Sequence, residues 1–169
     1  MSITIRDWRN DDDVEALTRM LHRAYAPLAA AGLRYMATHQ PWEVTLRRLE
    51  RGRALVAELD GEIIGTLTVY TPDSESTVPL YRDAQTYHFG QFGVEPDHKG
   101  RGIGRKLHQA AILHTREQGG RYLALDTAAP ATDLIATYQR WGYHIMERMA
   151  FSATNYESVV MRLDLHDRP

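Results

Sequence analysis

Residues 94–107 read V-E-P-D-H-K-G-R-G-I-G-R-K-L. An apolar run, Phe89 to Val94, ends at Pro96, a glycine-and-cation loop spans Lys99 to Gly104, and an amphipathic helical pattern opens at Ile103. A strand, a glycine loop and a helix N-terminus in that order make an anion site. The glycines let the backbone turn tightly and approach a ligand, and the first helical N–H groups have no partner inside the helix and point at it. The helix dipole favours negative charge there by roughly 0.3–1 kcal/mol. Lys99, Arg101, Arg105 and Lys106 place full positive charges around the same spot. A chain built around this segment is expected to carry an α/β sheet with a phosphate-bearing ligand at its edge.

The cations are local. Formal net charge is -2 over 169 residues, so the chain has no general attraction to nucleic acid or to an anionic membrane, and neither is expected as a partner. A 43% apolar and 25% charged composition is that of an ordinary globular protein, and the length suits one domain, 1–169. The absence of cysteine removes disulfides, thiolate nucleophiles and cysteine zinc sites. His39, His88, His98 and His108 lack the local pairing of a zinc site, and no metal is expected. Met1 to Asp13 lacks the apolar core of a signal peptide, and no apolar run approaches the roughly 20 residues of a membrane helix; a cytoplasmic location is expected.

Ile3 to Trp8 alternates as a strand. Asp11 to Asp13 offer caps for a helix with Val14, Leu17, Met20, Leu21 and Tyr25 on one face, ended by or just before Pro27. Residues 28–40 are ambiguous. Pro41 suits the first turn of a helix over Trp42 to Glu50, stopped by Gly52. Ala54 to Leu59 and Ile63 to Tyr70 flank the hairpin signal Asp60-Gly61. Residues 71–86 read as a long exposed loop, and Tyr87 to Val94 as the next strand. After the glycine loop a helix runs to Gly119-Gly120. A short strand over Tyr122 to Asp126 follows, then a helix from Thr132 or Asp133 through Trp141 with Gly142 as its C-cap, then two strands, Tyr143 to Phe151 and Ser158 to Leu165. The order β-α-α-β-β-β-α-β-α-β-β predicts a mixed sheet, not a doubly wound one.

The loop, its place after the fourth strand and this element order resemble the GNAT family of acyl-CoA-dependent N-acyltransferases, over nearly the whole chain. The family's pyrophosphate loop, R/Q-x-x-G-x-G/A, corresponds to Lys99-Gly100-Arg101-Gly102-Ile103-Gly104, with lysine in the first position. A second family pattern, Y-x-x-x-G-F/Y, corresponds to Tyr138-Gln139-Arg140-Trp141-Gly142-Tyr143. Many members carry an asparagine seven residues before that tyrosine; here the position is Ala131. The resemblance implies a largely antiparallel central sheet flanked by helices, acetyl-CoA as cofactor, and transfer of an acetyl group to a primary amine of a small molecule or peptide. A homodimer is implied by the same analogy.

The resemblance also implies site residues. Lys99, Gly100, Arg101, Gly102, Ile103, Gly104 and Arg105 would hold the pyrophosphate. Phe92, Gly93 and Val94 would offer free backbone groups to pantetheine and thioester where the fourth strand bulges and splays from the fifth. Gly93 fits a bulge on local grounds too, since glycine inside a strand often marks one. Spacing alone reads Tyr138 as one member of a buried helix face with Leu134, Ile135 and Trp141; with Gly142-Tyr143 behind it, the resemblance makes it the general acid. Period two places His88 on the face of Val94 if the strand is regular, and an imidazole there would serve as base. Glu58, Gln91, Glu95 or a water chain are further candidates.

For the acceptor, the analogy points to Arg34, Tyr35 and His39, to Asp73, Glu75, Tyr81 and Arg82, and to Asn155, Tyr156 and Glu157. Asp126 lies about 20 residues past the loop, as in dinucleotide folds, but G-x-G-x-G is not G-x-G-x-x-G, and Asp126 is read as shaping a turn or contacting substrate. No triphosphate loop, G-x-x-x-x-G-K-[ST], is present. The competing readings are a non-catalytic acyl-CoA-binding sensor on the same fold and an unrelated nucleotide-binding enzyme.

Overall fold

The computed structural model describes residues 2–167. Its centre is one seven-stranded sheet in the order β1-β2-β3-β4-β5-β7-β6. The strands are β1 (Thr4–Asp7), β2 (Arg53–Leu59), β3 (Glu62–Tyr70), β4 (Thr86–Val94), β5 (Tyr122–Ala128), β6 (His144–Ala150) and β7 (Glu157–Asp164). Every pairing is antiparallel except β4 with β5. The β2–β3 turn is the expected one: Asp60 and Gly61 both have positive φ, 51° and 82°, the conformation a two-residue hairpin of matching twist requires.

Five helices cover the sheet: α1 (Val14–Ala30), α2 (Met36–His39), α3 (Trp42–Glu50), α4 (Ile103–Glu117) and α5 (Thr132–Arg140). The expected order holds, with α2 as a single extra turn inside the ambiguous stretch. Asp13 caps α1, its carboxylate accepting the Ala16 N–H at 2.9 Å. The Leu17, Met20 and Leu21 stripe then meets Leu49 of α3 and Ala54 of the sheet. On the other face, Ile103, Leu107 and Ala111 of α4 pack with Ile135 and Tyr138 of α5 over Leu67, Phe89, Leu123 and Met161.

Three expectations are corrected. Pro27 does not end α1, which runs to Ala30. Proline deprives the helix of one donor near its last turn, and the alanines that follow have the highest helix propensity. Residues 71–86 are not a free loop. Pro79–Arg82 form a 3-10 turn whose Tyr81, with Val78, is buried against Ala124 and Val160.

The third correction concerns the bulge. Pairing of β3 with β4 steps from Thr66↔Gly93 to Thr68↔Gly90, so Leu67 faces both Gln91 and Phe92. The residue in the left-handed conformation is Gln91, at φ 49°. Gly93 sits in regular pairing and serves a different end. A Cβ there would lie 3.1 Å from Leu21 Cδ2 and 3.2 Å from Ala24 Cβ, so its bare backbone is what lets α1 lie close on β4. The bulge also breaks the alternation across it. His88 and Gly90 share the α1 side with Gly93, and Phe89, Phe92 and Val94 lie on the α4 side, so His88 and Val94 occupy opposite faces. Gly93→Ala is expected to destabilise by about 1–3 kcal/mol in urea unfolding, the cost of overpacking a close contact; a variant as stable as the parent would contradict this account.

Candidate functional site

β4 and β5 pair only over Thr86↔Tyr122, Tyr87↔Leu123 and His88↔Ala124. Beyond His88 the two parallel strands part. On its other side β4 keeps its antiparallel ladder, with Gly93 opposite Thr66 and the Glu95 N–H donating to the Ile64 carbonyl at 2.8 Å. Ladder bonds alternate in direction along a strand, so the main-chain groups of Phe92 and Val94 turn toward the gap. The Phe92 carbonyl there accepts the Tyr25 hydroxyl at 2.8 Å.

A cleft of about 1000 Å³ runs from this gap over the glycine loop. Gly100 and Gly102 have φ of 82° and 75°, and a Cβ on either would meet nothing within 4 Å. Gly102 caps α4 with no side-chain bond. The first helical bond, Lys106 N–H to the Gly102 carbonyl at 3.1 Å, leaves the N–H groups of Ile103, Gly104 and Arg105 without a helical acceptor. Gly104 admits the Phe92 ring, whose Cζ lies 3.4 Å from where its Cβ would be. Open backbone, three free donors and the charges of Lys99 and Arg105 suit a diphosphate. Of the predicted loop residues, Lys99, Gly100, Gly102, Ile103, Gly104 and Arg105 line the cleft, with Phe92, Gly93 and Val94. Arg101 does not; its guanidinium donates to His98 Nδ1 at 3.2 Å. Arg105 lies over the Trp141 ring at 5.0 Å. Ala131, in the place of the family's asparagine, also borders the cleft.

A second cleft, of about 640 Å³, opens on the other side of the same gap. Tyr25, Phe92, Leu134 and Tyr138 line both. Tyr138 comes from α5, which Gly142 closes at φ 102° while the Tyr143 N–H returns to the Tyr138 carbonyl at 3.0 Å. Its hydroxyl has no hydrogen-bond partner among the described residues, and burial holds its pKa well above that of a free phenol. Tyr35 spans to β5, its hydroxyl accepting from the Ala128 N–H at 3.1 Å and lying 2.9 Å from Thr127 Oγ1. Burial likewise pushes the Tyr25 hydroxyl up to about 12.

At the floor of this cleft is Asp126. The residue is exposed to the cleft, with protein atoms crowding around its carboxylate. Burial therefore raises its pKa, against the lowering effects of the Tyr81 hydrogen bond and the Arg48 charge. Tyr81 Oη donates to Asp126 Oδ2 at 2.7 Å. Its ring stacks on His88 at 3.9 Å, with Tyr70 on the imidazole's flank at 5.2 Å. His88 lines the cleft, but its Nδ1 is buried without a partner among the described residues. Burial lowers its pKa to about 4.

The structure thus brings Tyr138, His88 and the cofactor-loop residues around one gap. Of the predicted acceptor residues, Tyr35, Asp73, Tyr81 and Tyr156 line the second cleft. Arg34, His39, Glu75, Arg82, Asn155 and Glu157 do not. Asn155 instead ties two loops together, bonding the Gly32 carbonyl and the Arg34 N–H at 2.9 and 2.8 Å. Glu58 and Glu95 are spent on Arg6 and Arg23. Sequence reasoning missed Tyr25 and Arg48. It also underrated Asp126, whose signal was a carboxylate in the middle of an otherwise apolar strand, Y-L-A-L-D-T-A.

Comparison with known proteins agrees with this geometry. Residues 9–143 match the model of the acetyltransferase (GNAT) family. The chain is 33% identical over 134 residues to the S-(2-succino)cysteine N-acetyltransferase of Bacillus subtilis, covering 78% of each chain. It is 30% identical over 150 residues to the mycothiol acetyltransferase of Cellulomonas flavigena, covering 83% of this chain and 40% of that one. In fold it is similar to yncA, an acetyltransferase of Salmonella typhimurium solved with its cofactor acetyl-CoA, at a TM-score of 0.71 and 20% identity over 98% of this chain and 95% of that one. A family match across most of the sequence, and a relative 33% identical over 134 residues, place this chain in the GNAT acetyltransferase family.

Proposed function

We propose that the chain moves an acetyl group from acetyl-CoA to the primary amine of a small molecule held in the second cleft. The observation that carries this is the meeting of the two clefts at Tyr25, Phe92, Leu134 and Tyr138. One cleft has the backbone of a diphosphate site. The other has a carboxylate suited to an ammonium group. Acetyl-CoA, when bound, supplies an acyl group activated as a thioester.

The chain's own residues then divide the work. Gly100, Gly102 and the N–H groups of Ile103, Gly104 and Arg105 hold the diphosphate, with Lys99 and Arg105 adding charge; Arg101 contributes only to the field. The Val94 N–H, turned into the gap, is the donor for an oxygen gaining negative charge, an interaction of roughly 3–4 kcal/mol. Tyr138 keeps its proton at neutral pH and sits where both clefts meet, which suits it to protonate a departing sulfur. Asp126 anchors the ammonium and takes its proton, directly or through water. Burial disfavours the protonated form of His88, and with Tyr70 and Tyr81 the imidazole forms the wall behind Asp126. The Bacillus subtilis relative is named for an S-substituted cysteine, an acceptor that a cleft of about 640 Å³ accommodates. Among the described residues no helix is long and apolar enough to cross a membrane, in keeping with one domain acting in the cytoplasm.

Purified protein with acetyl-CoA is expected to release CoA thiol with at least one member of a panel of amines, amino acids, aminoglycosides and polyamines. If CoA thiol is not released with any amine and calorimetry detects no binding of acetyl-CoA, the proposal fails. Tyr138→Phe should lower kcat by about 10²–10⁴-fold and leave acetyl-CoA affinity intact; unchanged turnover removes it as the acid. A histidine held near 4 in the fold and near 6.5 when unfolded costs stability as pH falls through that window, because the unfolded state binds the extra proton. His88→Phe should therefore flatten the loss of stability between those values by roughly 3 kcal/mol in urea unfolding. Parallel curves for the two proteins would show that the imidazole is not held neutral.

A further inference from the structure

We propose that Arg48 is the carboxylate-binding residue of the acceptor cleft, so that the acceptor is an amine that also carries a carboxylate. This rests on the acetyl-transfer reading and names the substrate class of the same site. Arg48 stands in the last turn of α3, half-buried, and lines the cleft that holds Asp126. Among the described residues no carboxylate lies within ion-pair distance of it. Asp126 shares the cleft and feels the Arg48 charge but makes no direct ion pair with it, so a half-buried guanidinium is left with room for a ligand's anion.

The side chain is not loose. Arg48 Nη1 donates to Gln40 Oε1 at 2.9 Å. Guanidinium has no acceptor, so this contact fixes which way the Gln40 amide points. Gln40 Nε2 then donates to Gln91 Oε1 at 2.8 Å and to Thr45 Oγ1 at 2.9 Å. That in turn leaves Gln91 Nε2 for the Thr45 carbonyl, at 3.2 Å. Gln40 and Gln91 are 1% and 2% exposed, and every member of the chain apart from Arg48 is neutral. The network therefore orients the guanidinium without discharging it. It also binds Arg48 to the bulge, because Gln91 is the residue with positive φ. Gly90 leaves the space that the other guanidinium nitrogen uses: a Cβ there would lie 3.4 Å from Arg48 Nη2. Asp126 within β5 and Arg48 from α3 thus offer opposite charges to one ligand, the first receiving its ammonium and the second its carboxylate.

The test reads equilibrium binding to the full chain with CoA present. The probes are S-(2-succino)-L-cysteine and 2-(ethylthio)ethylamine, the same thioether amine without carboxylates. The parent is expected to prefer the carboxylated probe. Arg48→Gln should weaken that probe by about tenfold to hundredfold, with the uncharged-tail amine and acetyl-CoA unaffected, and Arg48→Lys should restore part of the loss. Equal weakening of both probes would make Arg48 a structural prop and overturn the assignment. So would a parent with no preference, which decides the matter even if the glutamine variant does not fold. Discrimination through Arg48 without any CoA release upholds this assignment while overturning the acetyl-transfer reading. CoA release without discrimination does the reverse.

Discussion

β4 keeps its partnership with β3 along its length and gives up β5 after His88. The rest of the site depends on that separation. A parallel pair continued to the end of β4 would consume the main-chain groups of Phe92 and Val94 and fill the space between the clefts. The bulge opposite Leu67 turns β4 away, α1 presses on it at Gly93, and Tyr25 takes the Phe92 carbonyl. Exposed strand groups are normally a liability that proteins cover. Here they are left at the junction of two clefts, where a ligand can cover them.

The two clefts differ in how they make charge. The glycine loop relies on oriented backbone N–H groups, with lysine and arginine around them. The acceptor side presents single side chains, Asp126 and Arg48, set among tyrosines. Between them the Tyr138 hydroxyl has no hydrogen-bond partner among the described residues, so nothing in the fold commits its proton. His88, by contrast, is held neutral by burial between two rings, which keeps a second positive charge away from the ammonium Asp126 would receive.

What was legible in the sequence is what short segments decide for themselves. Asp60-Gly61, the loop Lys99 to Gly104, and Tyr138 with Gly142 each carry their geometry within a few residues. The bulge was misplaced by the same local logic. Glycine is the cheap residue for a bulge, so Gly93 attracted the assignment, whereas the left-handed residue is Gln91, whose side-chain amide hydrogen-bonds to Thr45 of α3 and to Gln40 just before it. No local rule reports a strain that is compensated from a distant segment. Arg48 was hidden for the same reason. On α3 it is one of several basic residues, and only the folded sheet brings it to the cleft of Asp126. The acceptor residues drawn from analogy divided along similar lines, with the aromatic ones reaching the cleft and several polar ones bonding to neighbouring loops instead.

The missing side-chain cap at Gly102 has a thermodynamic side. A helix capped by glycine instead of serine, threonine or aspartate forgoes roughly a few tenths of a kcal/mol. The deficit lies where ligand phosphates would complete the bonding, so binding and folding draw on the same donors. A ligand present at a hundred times its dissociation constant adds about 2.7 kcal/mol to the native state. The equilibrium stability of the folded chain is thereby linked to the supply of acyl-CoA.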